Sequence, residues 1–300
     1  MEFSVWQNGL LSGKVKKMDK IVTKFFTAEK VREHVTRIGG MGGELCYLIE
    51  GQERALLIDA LAGVGSLKAL VRELTDLPVT LVNTHGHVDH IGADFEYGEV
   101  YIHPADIGLL YDHSDPNMRL GFAKSGRMMA ALRTEPLLSD VTAACAIRTY
   151  PLKEGDIFDL GGIKLEVIEV PGHTRGTVVF LDRDERIIYS GDACNVNTLL
   201  CCAPYSTSIE EYRESLLHLK EFLPAFDGMF GGHGPGPVPN TMVLEGIELC
   251  DEIMAGTDDA VESVSVGRRC WYAKAKNERY QRLDGGLCNI AYDKENIWRK

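Results

Sequence analysis

Short apolar runs, separated by glycine and polar turn residues, alternate with helical spacing through most of the chain. The runs predict strands over 34–38, 44–50, 54–59, 77–83, 99–103, 157–160, 163–170, 177–181, 186–190 and 227–230. Apolar spacing and capping signals predict helices over 65–74, after Pro104, over 119–132, from Ser208 to about 222 and from Asn240 to about 255. The strands fall into two blocks, each accompanied by helices. The pattern alone therefore predicts an α/β fold; two sheets packed face to face with helices outside would bury these strands.

The two ends of the chain and one internal stretch depart from this alternation. We predict an irregular lead over residues 1–20, a single domain over residues 21–260, and a β-rich C-terminal extension over residues 261–300 that packs on that domain. Residues 112–140 interrupt the alternation with a Met- and Ala-rich helical insertion. This insertion is interpreted either as a cover over the functional site or as an ordinary connecting helix, and both interpretations remain open.

Composition narrows the classes of function. The 300 residues are 45% apolar and 25% charged, as in a typical globular protein, and the formal net charge is −12. An acidic surface repels phosphate groups, so no nucleic-acid partner is expected. No apolar run approaches the ~20 residues that span a bilayer, and the first residues lack a signal-peptide pattern. The eight cysteines form no CxxC pair, which favours reduced thiols and a cytoplasmic location.

The strongest chemical signal lies directly after the apolar run 77–83. Within six residues the chain carries His85, His87, Asp89 and His90. Imidazole and carboxylate are common ligands of zinc, iron and related metals, and α/β proteins often place their chemistry where a strand ends. The cluster therefore predicts a metal site on this loop.

Three later loops carry the same kinds of side chain. His173, Asp192 and His233 each follow a predicted strand and stand directly after a glycine. Glycine allows the sharp turns and close backbone approach that a metal-binding loop needs. We expect the four loops to converge on one rim of the sheets.

The HxHxDH string followed by GH, GD and GH resembles the metallo-β-lactamase-fold superfamily over about residues 30–255. The resemblance implies an αββα sandwich with two metal ions at one edge. Transferred position by position, it implies one ion bound by His85, His87 and His173, a second bound by Asp89, His90 and His233, and a bridge formed by Asp192.

Within that superfamily the chain resembles the glyoxalase II and lactonase-like branch. The resemblance implies a hydrolase in which a hydroxide bridging two Zn²⁺ ions attacks a small ester-like bond, such as a thioester or a lactone. Asp89 and Asp192 are the candidate catalytic carboxylates, since they offset part of the positive charge of the ion pair. One or two Fe or Mn ions are the alternative cofactors.

Other activities stay open beside this one. Persulfide dioxygenases, which use a single iron, resemble the chain in the HxHxDH string, and phosphodiester cleavage is a second alternative. The two-iron flavoprotein oxidases fit less well, because His87 stands where they usually carry glutamate. A binding protein without catalysis is disfavoured by the complete ligand set, and a secreted β-lactamase by the missing signal peptide.

A small-molecule acyl substrate is the expected partner. Its candidate contacts are Tyr111, His113, Arg119, Arg127 and Tyr205. The oligomeric state is left open by the sequence, a homodimer included.

Overall fold

The computed structural model describes residues 20–126, 134–234, 236–278 and 281–300. Residues 1–19 of the predicted lead therefore lie outside the described residues. The same is true of 127–132, the end of the helix predicted over 119–132, and of the candidate substrate contact Arg127.

The first sheet contains eight strands that lie side by side in chain order. Its strands are β1 (Ile21–Val22), β2 (Thr27–Arg32), β3 (Val35–Gly39), β4 (Leu45–Glu50), β5 (Ala55–Ile58), β6 (Val79–Val82), β7 (Glu99–Ile102) and β8 (Arg148–Pro151). Strands β1 to β5 pair antiparallel, and β5 to β8 pair parallel. The parallel half has strand ends that point to one edge, and the loop with the HxHxDH string leaves β6 at that edge.

The second sheet has six strands in the order β15-β14-β12-β11-β10-β9. These are β9 (Ile157–Asp159), β10 (Lys164–Glu169), β11 (Val178–Asp182), β12 (Ile187–Gly191), β14 (Gly228–Gly231) and β15 (Val238–Pro239). A third sheet, in the order β13-β18-β17-β16, consists of β13 (Thr198–Leu200), β16 (Val261–Ser265), β17 (Arg268–Tyr272) and β18 (Ile290–Tyr292).

Six α-helices accompany the sheets within the described residues. They are α1 (Leu67–Leu74), α2 (Asp94–Tyr97), α3 (Ile107–Asp112), α4 (Pro116–Ser125), α5 (Ile209–Glu221) and α6 (Thr241–Ala255). The predicted capping box is confirmed at α5, where the Ser208 hydroxyl accepts from the Glu211 N–H and the Glu211 carboxylate accepts from the Ser208 N–H.

The predicted αββα sandwich is confirmed by three layers of apolar packing. Between the sheets, Val35 and Leu56 of the first sheet share a buried cluster with Phe180 and Tyr189 of the second. A second cluster joins the outer face of the first sheet to α1 and α2. A third joins the outer face of the second sheet to α5 and α6. Each sheet is thus buried on both faces, which explains its long apolar strands.

The C-terminal extension does not add to either large sheet. Its hairpin β16–β17 and strand β18 form the third sheet together with β13, which lies in the middle of the chain. Ile290 and Tyr292 of β18 belong to the same apolar cluster as α5 and α6. Where the domain ends and the extension begins, at residue 260, stays a prediction.

Several details differ from the sequence prediction, which did not include the short elements β1, α2 and β15. Strands β2 and β13 were not predicted; β2 carries mostly polar residues, and β13 has three residues that pair with a strand some ninety positions later. Helix α4 begins at Pro116 rather than near 119, because Asp115 caps it by accepting the N–H of Asn117 at 2.7 Å. None of the described helices is long and apolar enough to cross a membrane.

Candidate metal centre

The loop after β6 is held in shape by buried carboxylates. Asp59, directly after β5, accepts the N–H of Thr84 at 2.7 Å and its hydroxyl at 2.9 Å. Asp106 accepts the N–H of Gly86 at 2.8 Å. The turn then closes on itself, since the N–H of His90 donates to the carbonyl of His87 at 2.9 Å. These bonds leave the imidazoles facing the edge of the sandwich.

All seven predicted ligands meet at this edge. The ligand atoms of three residues that we call the three-histidine group lie within 4.8 Å of one another, as do those of three residues that we call the mixed group. The three-histidine group is His85, His87 and His173; the mixed group is Asp89, His90 and His233. Apart from His233, whose side chain is 36% exposed, all of these ligands are buried.

Short distances separate the ligand atoms within each group, and Asp192 lies between the two groups. Nδ1 of His87 lies 2.8 Å from Nε2 of His173. Nε2 of His233 lies 3.0 Å from Oδ2 of Asp89. Oδ2 of Asp192 lies 3.6 Å from Nε2 of both His173 and His233, so Asp192 stands midway between the groups.

The hydrogen bonds behind the imidazoles show which nitrogen faces the cluster. Nδ1 of His90 donates to Asp59 at 2.9 Å, and Nδ1 of His173 donates to the carbonyl of Leu199, on β13, at 2.8 Å. Nδ1 of His85 lies 3.0 Å from the Thr84 hydroxyl. That hydroxyl already donates to Asp59, so it accepts from His85. In all three rings Nε2 therefore faces the cluster.

Two of those nitrogens make no hydrogen bond within the described residues, although Nε2 of His90 lies 3.5 Å from Oδ2 of Asp89. Nε2 of His85 and Nε2 of His90 are buried and make no hydrogen bond to any residue that the structure describes. Buried polar atoms normally have a partner, and orphaned nitrogens in a ring of further nitrogen and carboxylate donors fit metal ions. The residues present are therefore chemically suited to hold the metals that the sequence predicts.

The two groups differ in charge. Burial, together with the neighbouring imidazoles, holds the pKa of His85 and of His87 well below the usual range. In the mixed group burial also lowers the pKa of His233, but the carboxylates of Asp192 and Asp89 outweigh it and raise that pKa to about 9. Burial would raise the pKa of Asp89, yet the imidazoles of His90 and His233 hold it well below its usual range. His85 and His87 are thus neutral, whereas the mixed group attracts positive charge.

Three acidic residues of the surroundings were missed by the sequence analysis. Asp59 adopts a left-handed backbone conformation (φ 66°), which non-glycine residues rarely adopt and which marks functional regions. Asp106 ties two loops together. Glu44 is buried, accepts from the N–H of Ala62 at 3.3 Å, and has its pKa raised to about 7 by burial. A signal existed only for Asp59, as a lone charge closing the apolar run 55–58.

Of the candidate substrate contacts, His113 and Tyr205 lie beside the three-histidine group. The ring of His113 stacks on that of His87 with centroids 5.2 Å apart, and its Nδ1 accepts the N–H of Val88 at 3.1 Å. Tyr205 meets His113 edge to face at 6.0 Å. Tyr111 is exposed and its hydroxyl contacts the carbonyl of Ile147 instead.

Arg119 requires a correction. Its side chain is fully buried, and its guanidinium donates to the carbonyls of Ser114 and Gly92, each at 3.2 Å, and to that of Thr142. The side chain therefore joins three stretches of backbone, and no donor is directed to the metal-binding edge. We no longer propose it as a substrate contact.

Comparison with known proteins agrees with this geometry. The family model of the metallo-beta-lactamase superfamily matches residues 39–233, which include all seven ligands. The acyl-coenzyme A thioesterase MBLAC2 of Gallus gallus is 29% identical over 62% of this chain and 73% of its own length. The match covers 61% of the Bos taurus protein of the same name. Hydroxyacylglutathione hydrolase GloC of Haemophilus influenzae is 25% identical over 63% of this chain and 84% of its own length.

A solved structure supports the fold itself. A metallo-beta-lactamase from Erythrobacter litoralis superposes with a TM-score of 0.52 at 16% identity, over 78% of this chain and 100% of that one. At this identity the likeness concerns the fold alone.

Proposed function

Because the chain belongs to the metallo-beta-lactamase superfamily, we propose that it is a dinuclear zinc hydrolase that cleaves the thioester bond of small acyl substrates. The observation that carries this proposal is the position of Asp192 Oδ2, 3.6 Å from Nε2 of both His173 and His233. One carboxylate oxygen at equal distance from two complete ligand groups is suited to bridge two ions.

We assign one zinc ion to the three-histidine group and a second to the mixed group, with Asp192 shared. Three neutral imidazoles with an open fourth position are the ligand pattern of catalytic zinc. The same nitrogen and oxygen donors also accept iron or manganese, so the identity of the metal is a matter for measurement.

When bound, two such ions polarise a carbonyl oxygen and lower the pKa of water toward ~7. The chain's own residues prepare the site for this chemistry. Asp89 and Asp192 offset part of the positive charge, and the hydrogen bonds behind His85, His90 and His173 fix the rings before a substrate arrives. We propose that His113 and Tyr205 form the wall that the substrate contacts.

The substrate class is inferred from two relatives that act on acyl groups carried by a thiol. One is named an acyl-coenzyme A thioesterase and the other a hydroxyacylglutathione hydrolase. In both reactions water adds across the bond between the acyl carbon and sulfur: the carbon gains the hydroxyl, and the thiol leaves with the remaining proton. A lactone, in which oxygen replaces the sulfur, is the next substrate to test.

The proposal is tested by metal analysis of protein purified without added metal or chelator, followed by assays on acyl-coenzyme A and acyl-glutathione thioesters, lactones and a phosphodiester. We expect close to two zinc ions per chain and turnover of a thioester. About one iron per chain, with oxygen uptake on a persulfide, would replace the proposal by the dioxygenase alternative. Cleavage of the phosphodiester alone would favour the other alternative.

A matched pair of variants shows whether the activity belongs to this site. His87→Ala removes a proposed ligand, whereas His218→Ala removes an imidazole on α5 that pairs with Glu154 at 3.1 Å. We expect only His87→Ala to lose metal and turnover. Full turnover by a folded His87→Ala protein without metal would refute the metal mechanism.

A further inference from the structure

Helix α3 joins two residues that hold the metal-binding loop. Asp106 precedes the helix and His113 follows it. Both contact the backbone next to His87: Asp106 accepts the N–H of Gly86, and His113 accepts the N–H of Val88. Hydrogen bonds therefore hold the loop on both sides of His87, a ligand of the three-histidine group.

Asp106 also reaches the loop that carries His173. Its Oδ2 accepts the hydroxyl of Thr174 at 2.6 Å as well as the N–H of Gly86 at 2.8 Å, and its Oδ1 accepts the N–H of Gly176 at 2.8 Å. The side chain is only 1% exposed, and no cation pairs with it among the described residues. A buried carboxylate in this setting depends on these three donors for its solvation.

Both loops are shaped to approach Asp106 closely. A Cβ atom added to Gly86 would lie 2.8 Å from the Asp106 carbonyl oxygen, and one added to Gly176 would lie 2.7 Å from Oδ1. Only glycine leaves room for these contacts. Gly86, Gly176 and the Asp106 side chain thus form one closely packed unit.

We propose that Asp106 is a positioning residue for the first metal subsite: it fixes the loop of His87 against the loop of His173 so that their ring nitrogens converge on one ion. The 2.8 Å separation of His87 Nδ1 from His173 Nε2 is the distance that this unit sets. The inference rests on the proposed metal site, and it adds a residue that does not touch the metals. The mixed group is not held by Asp106, so its affinity for metal is the internal reference.

The competing explanation is that Asp106 matters only as a buried carboxylate that supports the fold. Asp182 offers a matched control for this. It is also 1% exposed and accepts two backbone N–H groups, those of Asp184 at 3.1 Å and Glu185 at 3.0 Å. It lies at the end of β11 that is farther from His173 along the strand.

The test is a zinc titration of metal-stripped protein against a chromophoric competing chelator, which resolves two binding steps. His87→Ala and His233→Ala assign the steps to the two groups. We expect Asp106→Asn to weaken the step of the three-histidine group by about 10–100-fold, as loss of an outer-shell partner usually does, and to leave the other step unchanged. Asp182→Asn should change neither step, although both variants lower the midpoint of urea unfolding.

Equal zinc affinities in a folded Asp106→Asn protein would overturn the proposal, and so would equal weakening of both steps. Thr174→Val removes one of the three donors and keeps the shape of the side chain. If Asp106→Asn does not fold, an unchanged first step in Thr174→Val is the overturning result. A wild-type protein that binds no zinc would instead refute the proposed function, so the two failures are distinguishable.

Discussion

The three-histidine group and the mixed group share one edge of the sandwich but are held in place differently. His173 is fixed by a backbone carbonyl of β13, and His87 lies between two backbone N–H groups that Asp106 and His113 hold. In the mixed group His233 contacts the carboxylates of Asp89 and Asp192, and its side chain is 36% exposed. The first group is therefore ordered by the fold, whereas in the second only His90 is fixed in this way, by Asp59, and His233 is ordered mainly by charge.

The comparison teaches that the two proposed subsites have different requirements. The three-histidine group is buried and its rings are held by hydrogen bonds, so its geometry is arranged before a cation binds. A cluster of unlike charges near solvent depends on protonation, salt and the cation itself. Changes to the chain should therefore affect the two subsites unequally, except at the residue that they share.

The largest effect is expected from Asp192→Ala, because this change removes the carboxylate that the two groups share and so lowers the metal affinity of both. Both ions should be weakened, and thioester hydrolysis should fall by more than the 10–100-fold that loss of an outer-shell partner costs. Zinc content and initial rates measure this. The control is Asp184→Asn, an exposed carboxylate at the opposite end of β12. Retention of one tightly bound zinc would show that Asp192 serves a single ion.

A smaller and unequal effect is expected from the pair His173→Ala and His233→Ala. His173→Ala leaves the three-histidine group with two imidazoles, and His233→Ala leaves the mixed group with Asp89 and His90. Both groups keep the shared Asp192. We expect His173→Ala to lose at least about tenfold more activity and to free the zinc of the first subsite. Rates and zinc per chain, measured side by side, decide it. The reverse order would contradict the proposed division between a rigid and a charge-ordered subsite.

The two groups should also release zinc at different rates. A chelator such as EDTA is expected to release zinc in two phases, with the faster phase from the mixed group, because His233 is the most exposed ligand. His233→Ala should lose the fast phase, and His87→Ala the slow one. A single phase with two zinc ions released together would mean that the subsites are not independent. Colorimetric zinc release by stopped flow gives the measurement.

The smallest effect is expected from Thr84→Val, which keeps the branched shape of the side chain. The hydroxyl donates to Asp59 and accepts from His85, so its loss removes a hydrogen bond to a charged group. Such a bond contributes about 1.5–3 kcal/mol, and unfolding in urea measures the loss. Thr36→Val, at a buried position of β3, is the control. Equal stabilities of Thr84→Val and wild type would show that the hydrogen bonds of the Thr84 hydroxyl do not stabilise the three-histidine group.

The α/β class and the meeting of the ligands were predicted from local patterns, whereas the αββα sandwich was implied by the resemblance to the metallo-β-lactamase superfamily. Apolar runs between glycine turns located the strands, and the His and Asp residues at four strand ends predicted the common edge. The start of α5 could be predicted from Ser208 and Glu211 for the same reason, since the capping box is contained within four residues.

What could not be predicted depends on contacts between distant parts of the chain. Asp106 resembles any acidic residue at a helix start until Thr174 and Gly176 are placed beside it. Arg119 was named as a candidate substrate contact, yet three backbone carbonyls from separate loops accept hydrogen bonds from it. Strand β13 is defined by a partner that follows some ninety residues later.

That last pairing bears on when the site can form during synthesis. Leu199, whose carbonyl orients His173, pairs with Ala291 of β18, so β13 has no strand beside it in the third sheet until β18, some ninety residues later, has been synthesised. Elongation at about 5–20 residues per second separates the two strands by several seconds. Once His233 has been synthesised within that interval, every ligand is present, but the backbone that orients His173 is not yet anchored. Loading of metal is therefore expected to be a late event, which follows rather than guides the folding of the nascent chain.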